Sequence, residues 1–222
     1  RSCGEHGGVV CTSTNAPNIL DWAFKQRSKV LFFPDQNLGR WTGYKMGIPL
    51  EEMPVWDPDL PLGGLDESTI KKAKVLLWKG HCAVHQMFRL QHINLFKEKY
   101  PDGLIISHPE APFEVCQNSD YVGSTEFILN TIKAAKPNTK WLVGTELNLV
   151  NRLANEMKSE GKLVQFMSHV VCECSTMARI DPQHLAWTLE NIIHEKPVNI
   201  IKVPDREAKL AKLTLDRMLE IS

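Results

Sequence analysis

Short apolar runs alternate along this chain with longer stretches in which apolar residues recur every three or four positions. Residues 29–34, 75–78, 104–108, 141–145 and 163–167 read as strands, the last the weakest of the five. Between and after them, residues 15–27, 84–100, 126–135, 147–160 and 182–194 read as amphipathic helices. In the second of these, Met87, Leu90, Ile93 and Leu95 face a core and Lys97, Glu98 and Lys99 are left for water. Pro101, Asp102 and Gly103 then turn the chain into the next strand. Strand and helix in alternation predict an α/β fold: short parallel sheets covered by helices.

One stretch breaks the rhythm. Residues 53–64 are rich in proline and glycine around Trp56 and Asp57, and read as a long ordered loop or connector, the best internal boundary on offer. The tail, 205–222, is a charged amphipathic helix with Leu210, Leu213, Leu215 and Met218 as its apolar positions.

Composition narrows the function classes. With 222 residues and 43% apolar content, the chain makes one large domain or two small ones with a real core. Lys plus Arg and Asp plus Glu both number 26, so no basic surplus points to nucleic acid or to a membrane surface. The longest apolar runs are too short to span a bilayer. With no secretory signal, the six cysteines are expected to work as thiols or ligands rather than as a disulfide framework. The first residue is Arg1, not Met, so a piece of a longer protein is expected, its beginning missing.

Polar clusters follow the predicted strands or open the next helix, where α/β proteins place their chemistry. They are residues 11–15, His81-Cys82-Ala83-Val84-His85, His108-Pro109-Glu110, Gly123-Ser124-Thr125 and Gly144-Thr145-Glu146. Cys82 with His81 and His85 offers soft and borderline metal ligands, although local spacing alone favours a buried Cys beside two surface histidines. His108 and Glu110, two apart, face one side of an extended chain as an acid/base or ligand pair would, or else form a polar strand end bent by Pro109. Ser13, Thr14 and Ser124 read singly as helix N-caps; grouped at helix starts they suit a phosphate or carboxylate. Cys172-Glu173-Cys174 is too tight for a zinc knuckle, and Cys3, Cys11 and Cys116 have no ligand-like surroundings.

Together these segments resemble the quinolinate synthase family. The matching motifs are CTSTNA (11–16), PDQNLGR (34–40), GHCAVH (80–85), HPE (108–110), VGST (122–125), GTE (144–146) and CSTM (174–177), in the family's order and over nearly the whole chain. The resemblance implies repeated three-layer α/β/α units with short parallel sheets, of which about two of the family's three are present. They would be a second unit over 1–80, incomplete at its start and with an insertion near 53–65, a third over 81–172, and closing helices over 173–222. The implied activity is a transferase-type synthase of de novo NAD biosynthesis, in a cytoplasmic protein with no nucleic acid or membrane partner. It condenses iminoaspartate with dihydroxyacetone phosphate to quinolinate, phosphate and water, and is linked functionally to an L-aspartate-oxidising enzyme.

The implied cofactor is a [4Fe–4S] cluster acting as a Lewis acid, with Cys82 and Cys174 as ligands and a third cysteine expected from the missing first unit. Cys172 stands close enough to Cys174 to compete for the role. The resemblance makes His108, Glu110 and His85 catalytic, and assigns substrate binding to Ser13, His108, Ser124 and Thr125. Residues 1–222 alone are expected to be inactive, because an active site at a three-unit junction lacks one wall. Two other readings remain open: a zinc hydrolase using His81, Cys82, His85 and Glu110, and a non-catalytic module that binds phosphorylated metabolites.

Overall fold

The computed structural model describes residues 1–170 and 174–221, so Cys172 lies outside the described residues. The chain forms two compact units: a larger one over residues 11–172 (with 221–222) and a smaller one from residues 1–10 and 173–220.

The larger unit holds two parallel sheets. β1 (Val30–Phe32), β2 (Val55–Trp56) and β3 (Val75–Trp78) form the first, in the order β1-β3-β2. β4 (Leu104–Ser107), β5 (Tyr121–Val122), β6 (Lys140–Gly144) and β7 (Leu163–Phe166) form the second, in the order β5-β4-β6-β7. The helices are α1 (Ser2–Glu5), α2 (Ala16–Gln26), α3 (Gln36–Lys45), α4 (Glu67–Lys72) and α5 (Leu90–Lys99). They continue with α6 (Phe113–Gln117), α7 (Thr125–Ala134), α8 (Leu147–Met157), α9 (Pro182–Ile193) and α10 (Asp205–Ile221). The α/β class with short parallel sheets is therefore what the alternation of patterns predicts.

Each sheet buries its own core. Ile106, Trp141, Val143 and Val164 pack beneath Ile128 and Ile132 of α7 and Val150, Leu153 and Met157 of α8. Phe32, Val75 and Leu77 pack against Ala16 and Leu20 of α2 and Leu38 of α3. Because every pairing is parallel, all strands of a sheet end at one edge, and the loops leaving that edge carry the polar clusters.

Three departures from the sequence pattern matter for the site. The helix expected over 84–100 is broken: His85–Met87 is a single 3-10 turn, Phe88 is extended with ψ 141°, and only then does α5 begin. Phe88 is fully buried, its ring 5.8 Å from that of Phe166, so core burial overrides the helical period. The Pro-rich stretch contains β2, paired with β3. Finally, α3 has too few apolar residues to show a helical period; Asp35 caps it, and Gly39 lets it lie on the sheet, where a Cβ would come within 2.6 Å of the Phe32 ring.

The smaller unit contains α1, α9 and α10. Glu5 of α1 pairs with Arg206 of α10 at 2.6 Å, and Arg217 donates to the Gly8 carbonyl. Among its described residues only Gly4 and Thr214 are buried, while Leu185, Trp187, Leu189, Ile192 and Ile193 of α9 are exposed. No helix among the described residues is long and apolar enough to cross a membrane.

Candidate metal and acid–base site

Two loops of the larger unit build the site. The chain leaving β3 carries Gly80, Cys82 and His85, and the chain leaving β4 carries His108 and Glu110. The start of α3 ties them together. Asp35, the N-cap, accepts the Leu38 N–H on Oδ1 at 2.8 Å and the Cys82 N–H on Oδ2 at 2.9 Å. The Gln36 N–H donates to the Gly80 carbonyl at 2.9 Å. Gly80 has to be glycine here, because a Cβ would collide with the Pro34 carbonyl oxygen. Asn37 donates from Nδ2 to Gln86 Oε1 and to the Glu110 carbonyl, each at 3.1 Å.

One ligand atom each from Cys82, His85 and Glu110 lie within 4.8 Å of one another. His85 Nδ1 and Glu110 Oε2 are 3.0 Å apart, and the His85 ring stacks on that of His108, with centroids 4.6 Å apart and planes 11° from parallel. Both histidines are buried. His108 Nδ1 accepts the Glu110 N–H at 3.4 Å, which leaves Nε2 to carry the proton when the ring is neutral.

Electrostatics drive the two imidazoles apart. Burial lowers the pKa of His85, yet Cys82 and Glu110 together push it up to about 9. Burial, reinforced by the charge on His85, takes His108 down to about 4. Burial raises the Cys82 thiol and the Glu110 carboxyl, but in both cases interactions with His85 outweigh it and leave the value lowered. At neutral pH, then, the cluster holds one imidazolium among anionic or anion-prone partners beside one neutral imidazole, a separation of roles suited to acid–base chemistry.

The other sequence candidates are placed as follows. Ser124 caps α7, accepting the Phe127 N–H at 3.3 Å, and Thr125 is the first residue of that helix. Ser13 is half-buried in the turn before α2, whose N-cap is Asn15 rather than Ser13 or Thr14. Cys174 is half-buried in the smaller unit. His81 is exposed and outside the ligand group, and the Cys116 thiol is pushed by burial up to about 12. Asp35, Asn37 and Gln86 received no individual role from the sequence; the only signal for the first two was their place in PDQNLGR.

The donor set suits a cation. Cys82 is a half-buried thiol with its pKa held down, and His85 Nε2 is buried without a hydrogen-bond partner of normal geometry. Thiolate, imidazole and carboxylate fit a borderline metal such as zinc or ferrous iron, and the soft thiolate suits one corner of an iron–sulfur cluster.

Comparison with known proteins bears on the choice. A profile described as quinolinate synthetase A protein matches residues 3–220. Proteins named quinolinate synthase are similar throughout: that of Rhodopirellula baltica is 50% identical over 220 residues, covering 99% of this chain and 56% of the relative. Those of Acidobacterium capsulatum and Streptomyces coelicolor are each 48% identical over 219 residues, covering 99% and 98% of this chain and 59% and 56% of the relative. The chain thus spans between half and two-thirds of the length of the curated relatives it matches. By the extent and identity of these matches, the chain belongs to the quinolinate synthetase A protein family.

Proposed function

We propose that this chain is part of a quinolinate synthase that condenses iminoaspartate with dihydroxyacetone phosphate in NAD biosynthesis. The observation that carries the reading is the Cys82, His85, His108 and Glu110 cluster, found in a chain of this family. A [4Fe–4S] cluster, when bound, supplies a Lewis acid that draws off hydroxide during dehydration. Cys82 and Cys174 are the proposed thiolate ligands. The division into a second unit over 1–80, a third over 81–172 and closing helices over 173–222 belongs to the same proposal. So do a cytoplasmic location and supply of the imine by an L-aspartate-oxidising enzyme.

The chain's own residues have distinct tasks in this reading. The His85 imidazolium holds the Glu110 carboxylate at 3.0 Å, so that Glu110 can exchange a proton with substrate without leaving its place. His108, neutral, donates from Nε2 to a substrate oxygen. At the start of α7, Ser124 accepts a backbone N–H while keeping its own proton to donate. With Thr125 and the helix N-terminus it suits phosphate or carboxylate. Ser13 is the proposed contact from the first sheet's side.

Metal analysis after anaerobic expression and reconstitution tests the reading. Iron with acid-labile sulfide, lost in Cys82→Ser and in Cys174→Ser, supports it. Stoichiometric zinc without sulfide overturns it in favour of a hydrolase built on Cys82, His85 and Glu110, the alternative that their S, N and O donor set favours. Residues 1–222 alone are expected to give no quinolinate.

A further inference from the structure

Two side chains at the start of α3, Asp35 and Asn37, converge on the cluster. Asp35 is buried, and each of its two oxygens accepts one backbone N–H: Leu38 inside its own helix and Cys82 in the loop after β3. Asn37 is also buried and donates both to Gln86, beyond His85, and to the carbonyl of Glu110 in the loop after β4. These are long-range bonds, joining residues 47, 49 and 73 positions apart. Capping α3 needs only one oxygen of Asp35, and nothing in the helix needs the amide of Asn37. The second oxygen and the amide are spent on the two loops.

We infer that Asp35 and Asn37 are positioning residues: they clamp the Cys82 and Glu110 loops to one helix start, and so keep the Cys82 thiolate in register with His85 and Glu110. Asp35 fixes the backbone from which the Cys82 sulfur projects. Asn37 fixes the carbonyl of Glu110, and the N–H on the other side of the same Cα sets the neutral tautomer of His108. Neither touches the ligand atoms; each acts through a residue that does, as outer partners of metal ligands do. The Gly80 requirement supports the same reading, since the two chain segments are in backbone contact along the clamp.

The inference rests on the proposal that Cys82 is a metal ligand, and the experiment separates the two. Cobalt(II) is titrated into the reduced full chain, reading affinity from the thiolate charge-transfer band alongside far-UV circular dichroism and the melting temperature. Asp35→Asn keeps the cap, because Asn caps as well as Asp, but it puts an NH2 donor in place of the oxygen that accepts the Cys82 N–H. Asn37→Leu removes both donations at similar volume and settles the question if Asp35→Asn fails to fold. The clamp predicts that cobalt affinity falls roughly 10- to 100-fold in either folded variant, with the helical signal retained. Affinity unchanged in the folded variants, with binding abolished in Cys82→Ser, overturns the clamp and leaves the ligand assignment standing. Binding that Cys82→Ser leaves intact overturns the ligand assignment, and the clamp with it.

Discussion

His108 carries a pH dependence whose sign follows from its surroundings. Its pKa falls from 6.5 to about 4 on folding, first because burial penalises the charged ring and then because the His85 charge repels it. A base with a depressed folded pKa favours the folded state above its unfolded value and loses that contribution as pH falls. His85 does not cancel this, since a group whose folded pKa is raised to about 9 contributes fully below its unfolded value of 6.5. Glu110, whose pKa is lowered, steepens the loss only below its ordinary value of 4.5. Urea unfolding of the larger unit is therefore expected to weaken from pH 6.5 towards 4 by up to about 1.4 kcal/mol per unit. His108→Gln should reduce that slope, leaving the share of His92, whose pKa burial also lowers, and an unchanged slope would assign it to another group. The identities of Cys82, His85, His108 and Glu110 were legible in the sequence because each sits in a short motif directly after a strand. The bonds from Asp35 and Asn37 were not, because they join positions 47 to 73 apart and leave no local pattern.

At the scale of elements, the longer strands were easy to read, and the two-residue strands and the strand order were not. The run Val75–Trp78 is a strand at the expected bounds, because a short continuous apolar run between polar flanks has few alternatives. β2 and β5, at two residues each, are held by pairing to β3 and β4 and carry no period of their own. The unforeseen α3 is the more instructive case. A helix with two glycines is a poor helix in isolation, and close packing is what those glycines permit, Gly39 on Phe32 and Leu77 of the sheet and Gly43 on Met53. The same close approach recurs where Gly80 meets Pro34, and it yields a prediction. Gly80→Ala drives a methyl group into the Pro34 carbonyl oxygen, with backbone on both sides and no flexible side chain to yield. The two loops must separate, at a cost of about 1–3 kcal/mol and with the Gln36-to-Gly80 bond lengthened or lost. A lowered melting temperature together with faster hydrogen exchange at the Gln36 amide is the expected signature. A Gly80→Ala protein as stable as the parent would show that the contact relaxes freely.

Across the whole molecule, the two units differ in how their stability is built. The larger has two layered cores with fully buried Ile105, Ile106, Ile128, Ile132 and Trp141, and its central strands are paired on both sides. The smaller has no buried hydrophobic side chain among its described residues, and its helix α9 exposes Leu185, Trp187, Leu189, Ile192 and Ile193. Helices draw most of their stability in water from packing an apolar face rather than from propensity, and α9 has 12 residues, near the length at which an isolated helix is marginal. Its Asp181 cap and the proline at its start help, as does the Arg206–Glu5 pair elsewhere in the unit, but each exposed contribution is small. Local opening of α9 should therefore cost much less than opening of β4 or β6. Native-state hydrogen exchange resolved by peptide would show the amides of 185–193 exchanging orders of magnitude faster than those of 104–107 and 140–144. The denaturation curves followed by far-UV circular dichroism and by burial of Trp141 should then fail to coincide. Equal protection of α9 and β6 would mean that the exposed face is covered in solution, and a concentration series would show whether a second copy covers it.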